Sequence, residues 1–151
     1  MIAPPIMVGG MCSYLSDHPE LQQQLREKPE LVPAAVEEFV RLFSPYRGFA
    51  RTVSREVELH GQKIQPGVPV TLTYCSANRD PAVFENPHEF VLNRPNIAMH
   101  MGFGRGRHRC VGQPLAKLSA PPLPLASEET ADRRVGFCRP RSRCCWRIRR
   151  R

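Results

Sequence analysis

The stretch FGRGRHRCVGQ, residues 103–113, sets three glycines, one histidine and one cysteine behind Phe103. A thiolate is a good soft metal ligand. The residues that follow, CVGQPLAKL, read as a loop turning into a helix, with Pro114 tolerated in its first turn. Cys110 is therefore expected next to a helix N-terminus, where backbone N–H donors and the positive end of the helix dipole favour thiolate over thiol. Gly104 and Gly106 permit backbone conformations closed to other residues, and Gly112 has no side chain to obstruct a large flat ligand lying across the helix start. Phe103 would pack beside the sulfur and keep it dry, while His108 can donate a hydrogen bond to an anionic group at the ligand's edge. A lone cysteine is usually a small buried hydrophobe; the surrounding pattern is what marks Cys110 as a ligand.

The elements that must hold such a loop are legible upstream. HPELQQQLREKPE (18–30) and VPAAVEEFVRLFSP (32–45) each carry proline near a helix start and Leu, Val or Phe at helical spacing, which predicts two short helices. REVELHGQKIQPGVPVTLTYCS alternates apolar and polar residues around turn signals at His60-Gly61 and Pro66-Gly67, which predicts a hairpin or small meander of strands. From ANRDPAVFENPHEFVLNRPN onward no period persists, and a long irregular stretch packed by Phe84 and Phe90 is expected to lead into the glycine loop.

The chain of 151 residues, 41% hydrophobic, can build one core. Its formal charge of +8 is concentrated at one end: residues 119–151 hold nine arginines against Glu128, Glu129 and Asp132, a balance of +6 that leaves +2 for residues 1–118. The six cysteines form neither a C-x-x-C pair nor a small-domain framework, so a zinc knuckle and a disulfide scaffold are both disfavoured and a reducing cytoplasm is the simpler compartment. The apolar start MIAPPIMVGGMCSYL is too short to span a bilayer, contains Pro4 and Pro5, and lacks the basic opening of a signal peptide, so no membrane insertion is expected.

Phe103, Gly104, Gly106, His108, Cys110 and Gly112 together spell Phe-Gly-x-Gly-x-His-x-Cys-x-Gly, which resembles the heme-binding loop of the cytochrome P-450 monooxygenases. The resemblance extends over roughly residues 6–118, with wording closest to the soluble bacterial branch. It implies that Cys110 is the proximal iron ligand of heme b, pushing electron density toward the oxygen bond being cleaved. It also gives meaning to Glu38 and Arg41: as an exposed helix pair they would contribute only about 0.2–0.5 kcal/mol, but the family buries such a Glu-x-x-Arg with an arginine matched here by Arg94. Arg51 in GFARTVSREV matches a position that binds a heme propionate, a role shared with His108, and Phe103, Gly104 and Gly112 would shape the proximal face.

The implied fold is α+β, a partial cytochrome P-450 fold over residues 1–118 comprising C-terminal helices, a small sheet, a meander, the cysteine loop and the start of the proximal helix. Residues 119–151 are expected to form an irregular arginine- and proline-rich tail, disordered or read out of frame. The implied reaction is insertion of one oxygen atom of O2 into a small organic substrate, with electrons from a ferredoxin-type or other redox partner docking near Arg105, Arg107, Arg109 and Lys117. APPIMVGGMCSYLSDHPEL looks like the second half of the helix that crosses the heme, and the acidic-plus-threonine pair that would activate oxygen falls at or before Met1. The chain alone is thus expected not to turn over substrate, and no catalytic residue is assigned. Two other readings stand beside this one: a non-catalytic heme-binding module, and a basic nucleic-acid-binding protein using the arginine-rich tail and Trp146.

Overall fold

The computed structural model describes residues 3–119. Helix α1 (Ala3–Asp17) opens with Pro4 and Pro5 in its first turn, where a missing N–H costs no intrahelical bond. Pro19 likewise starts α2 (Pro19–Glu27), and a 3-10 turn over Pro29–Leu31 leads into α3 (Val32–Phe43), so the helix expected over 18–30 ends early and passes through that turn. Lys28 precedes Pro29 and leaves the helical region, at φ −127° and ψ 74°, as proline favours for the residue before it. Ser44, left-handed at φ 32°, ends α3. None of the described helices is long and apolar enough to cross a membrane.

The strands form two separate pairs. Strand β1 (Gly48–Thr52) runs antiparallel to β4 (Pro69–Thr73), aligning Arg51 with Val70, while β2 (Val57–Leu59) and β3 (Gln62–Ile64) make a hairpin turned at His60 and Gly61. The sequence pattern exposes the hairpin but not β1, whose partner lies beyond it and whose pairing is therefore non-local. It also extends the last strand too far: Tyr74–Ala77 is a helical turn, α4, with Tyr74 buried. Residues 78–99 are irregular apart from a 3-10 turn over Ile97–Met99, and α5 (Gln113–Ser119) closes the described chain. Except for Ser119, the arginine-rich segment, Trp146 included, lies outside the described residues.

The apolar core joins α1, α2 and α3 through Met7, Met11, Leu15, Leu25, Val36 and Phe39. Phe90 from the irregular stretch enters it, with its ring centroid 4.7 Å from Phe39 and 5.5 Å from Tyr14. Beside this core lies a buried charge cluster. Arg41 donates from Nε and Nη2 to both Glu38 oxygens at 2.8 and 2.7 Å, and Arg94 donates from Nε to the same carboxylate at 3.1 and 3.3 Å. Glu38, Arg41 and Arg94 are 1%, 0% and 5% exposed, so water screens none of them.

The remaining donors of both guanidiniums hold main chain. Arg41 reaches the carbonyls of Asn78, Pro87 and Glu89 at 2.7–2.9 Å, and Arg94 those of Glu85, Asn86 and Glu89. The Val91 N–H donates to Glu38 at 3.0 Å, and Phe84 lies under both cations, 5.3 and 5.9 Å from its ring centroid. An irregular segment has no ladder to satisfy its carbonyls, and here two arginines do so.

Burial pushes the Glu38 carboxyl upward, but hydrogen bonds from Arg41, Val91 and Arg94 more than offset this and hold it below the usual carboxylate range. With a depressed folded value, its contribution is complete above the unfolded carboxylate range near pH ~4.3 and is lost as pH falls through the lower folded value. Glu38→Gln, which leaves two buried cations without a counter-charge, should lower the unfolding free energy by about 3–5 kcal/mol in urea denaturation at pH 7. The variant should also lose the acid-dependent part of stability that Glu38 supplies. A loss under about 1 kcal/mol would show that the guanidiniums do not depend on this carboxylate.

Candidate functional site

The cysteine loop hangs from the C-terminal end of α3. Asn78, fully buried, donates from Nδ2 to Ser44 Oγ at 2.7 Å and accepts the Met101 N–H at 2.6 Å, tying the loop's entry to the helix end. At Gly102 the chain presses against α3: a Cβ there would lie 2.4 Å from Val40 Cγ1 and 3.0 Å from Val40 O. Gly104 adopts φ +69°, in the region that favours glycine, and donates its N–H to Met101 O at 2.8 Å. A 3-10 turn over Gly106–His108 follows, and the Cys110 N–H closes the loop onto Phe103 O at 2.9 Å.

Five of the residues singled out from the sequence, Phe103, Gly104, His108, Cys110 and Gly112, thus share one loop. Cys110 is exposed, its carbonyl accepts the Gln113 N–H at 3.3 Å, and α5 begins three residues beyond it. A Cβ on Gly112 would sit 3.9 Å from Cys110 Sγ, so glycine leaves the approach to the sulfur open. Phe103 is half-buried, His108 is exposed, and Val111 beside the cysteine is 96% exposed. Arg51 stands apart on β1, exposed, with Nη1 donating to its neighbour's carbonyl at 3.0 Å. Glu38, Arg41 and Arg94 lie behind the loop in the scaffold.

Two further described cysteines differ in setting: Cys12 lies on α1 and Cys75 is half-buried in α4. Among the described residues no three His, Cys, Asp or Glu side chains gather to hold a metal ion. An iron on Cys110 would therefore draw its other ligands from outside this donor set. An exposed thiol on a glycine-opened loop, with apolar Val111 next to it in the chain, fits a flat apolar group that brings its own metal ligands.

Sequence reasoning passed over Glu37 and His100 under the loop, and gave Lys117 only a place on the docking face. Glu37 accepts from His100 Nε2 at 2.8 Å through Oε2 and pairs with Lys117 of α5 through Oε1. The Gly102 N–H donates to His100 Nδ1 at 3.0 Å, which leaves Nε2 to carry the proton given to Glu37. Burial raises the Glu37 carboxyl, but hydrogen bonds from His100 and Lys117 and the charge of Lys117 bring it below its usual range. These residues line a cavity of about 570 Å³ with Phe103, Arg105 and Arg109. The only sequence signal was the doubled acid Glu37-Glu38 on a helix whose one other charged residue is Arg41.

Residues 11–120 match the family model described as Cytochrome P450. The chain is 45% identical over 111 residues to putative cytochrome P450 140 of Mycobacterium bovis, covering 74% of this chain and 25% of the relative. It is 46% identical over 111 residues to cytochrome P450-terp of a Pseudomonas species, covering 73% and 26%. It therefore spans about a quarter of the length of these curated relatives. Among solved structures, substrate-free cytochrome P450 CYP150A6 of Mycobacterium marinum superposes with a TM-score of 0.78 at 37% identity, covering 83% of this chain and 30% of that one. P450BioI, solved in complex with hexadec-9Z-enoic acid ligated acyl carrier protein, gives 0.77 at 37% identity, covering 83% and 32%. With the α+β elements, the buried Glu38 cluster and the glycine-flanked cysteine loop in this order, the chain belongs to the cytochrome P450 family.

Proposed function

We propose that this chain is the heme-binding C-terminal portion of a monooxygenase that inserts one oxygen atom of O2 into a small organic substrate, using electrons from a ferredoxin-type or other redox partner. The observation that carries this reading is the exposed Cys110 thiol on a loop closed by the Phe103 carbonyl and opened by Gly112. Bound heme b supplies the iron centre for oxygen activation.

The residues of the chain have separate tasks. Cys110 would hold the iron through its thiolate. Phe103 shields the sulfur's loop from water on one side, and Gly104 and Gly112 keep side chains out of the ligand's path. Arg51 and His108 would present N–H donors to the propionates, Arg51 with the planar fork that matches a carboxylate. The Glu38, Arg41 and Arg94 cluster keeps the loop's scaffold fixed, so that ligation does not have to order the chain first. Arg105, Arg107 and Arg109 are all exposed and give the loop a basic outer face, which fits an acidic electron donor.

Titration with heme b, followed by reduction under carbon monoxide, should give the red-shifted Soret band of thiolate ligation. Cys110→Ser should abolish that band and Cys75→Ser should keep it. Its survival in both variants would remove Cys110 as the ligand. In the full-length enzyme, Arg107→Glu should slow reduction by a ferredoxin at low salt and flatten its salt dependence in stopped-flow measurements. An unchanged rate and salt profile would remove Arg107 from the docking face.

A further inference from the structure

We infer that Glu37, His100 and Lys117 act together as positioning residues for the cysteine loop, with Glu37 as the hub that clamps both ends of the loop to α3. The inference rests on the reading of Cys110 as the ligand-bearing residue, and adds residues to which that reading assigns no role.

The Glu37 carboxylate has two oxygens and uses them in opposite directions. Oε2 takes the hydrogen bond from His100, buried at the loop's entry, and Oε1 takes the ammonium of Lys117, on the helix into which the loop exits. One α3 side chain therefore spans the segment from residue 100 to residue 117. His100 passes the constraint on through Nδ1, which accepts the Gly102 N–H at 3.0 Å and fixes the backbone next to Phe103. That backbone cannot retreat toward α3, because Gly102 already lies against Val40.

Phe103 packs against two members of the same cluster. Its ring centroid is 5.9 Å from that of His100, and the Lys117 ammonium lies 5.8 Å from its centroid. The Phe103 carbonyl in turn accepts the Cys110 N–H at 2.9 Å. The path from Glu37 to the thiol-bearing residue thus runs through His100, Gly102 and Phe103 on one arm and through Lys117 on the other. The neighbouring Glu38 cluster makes none of these contacts: it holds the main chain at Asn78 and over residues 85–91.

Charge-assisted bonds of this kind give the clamp its strength. Replacing Glu37 by Gln keeps the shape and removes the charge that Lys117 pairs with. The loop should then open locally more often while the Glu38 cluster stays closed, a split that general destabilisation would not produce.

The test is hydrogen exchange on the full 151-residue chain without heme, resolved to the Cys110 and Val91 amides. Glu37→Gln should raise exchange at Cys110 by about tenfold, the loss expected for a charge-assisted hydrogen bond, and leave Val91 within about twofold. Lys117→Met should also raise exchange at Cys110, and Lys117→Arg, which keeps the cation, should restore the parent rate. Unchanged exchange at Cys110 in Glu37→Gln, or an equal rise at Val91, would overturn the positioning role. Loss of the thiolate spectrum in the unsubstituted chain would instead count against Cys110 as ligand, so the two ideas fail separately.

Discussion

One carboxylate held between two guanidiniums, with all three residues almost wholly buried, is the constraint on which the rest of the structure depends. Removing ions from water is costly, and such a cluster persists only when every donor and acceptor is matched. Here the matching is done by the main chain of residues 78–91, which supplies the carbonyls that Arg41 and Arg94 need and the Val91 N–H that Glu38 accepts. Each side solves the other's problem: the irregular segment has no secondary structure to satisfy its polar groups, and the arginines have no water. Among the described residues no buried side-chain nitrogen or oxygen is left without a partner.

That exchange explains how a long segment without periodic structure can still be a rigid support. The apolar core fixes α3 against α1 and α2, α3 presents Glu38 and Arg41, and these fix the segment that leads to the cysteine loop. The loop gains two further attachments of its own, at Asn78 and at Glu37. Rigidity is therefore delivered to a glycine-rich loop from outside, and the glycines remain free to serve the close approach and the left-handed turn that the loop requires.

The parts readable from the sequence are those governed by local chemistry. Proline placement and helical spacing reveal α2 and α3, and His60-Gly61 reveals the β2–β3 turn, because each is set by neighbouring residues. Strand β1 is harder to see since its partner β4 lies across the intervening hairpin, and the helical turn at Tyr74 interrupts what alternation alone would extend as strand. The pattern around Cys110 names the loop, and the Glu-x-x-Arg spacing with Arg94 names the side chains of the buried cluster. Their carbonyl acceptors are invisible in a sequence, because any residue type offers the same carbonyl. Glu37 is hidden for a related reason: only the fold shows that the acid next to Glu38 reaches both His100 and Lys117 rather than solvent.

The central claim is that this fold presents Cys110 as a metal-binding thiolate, and iron K-edge X-ray absorption on the heme-loaded chain measures it most directly. The predicted result is one sulfur scatterer in the iron's coordination shell, present in the parent chain and lost in Cys110→Ser. A shell of nitrogen and oxygen alone, in a chain that binds heme and remains folded, would contradict it.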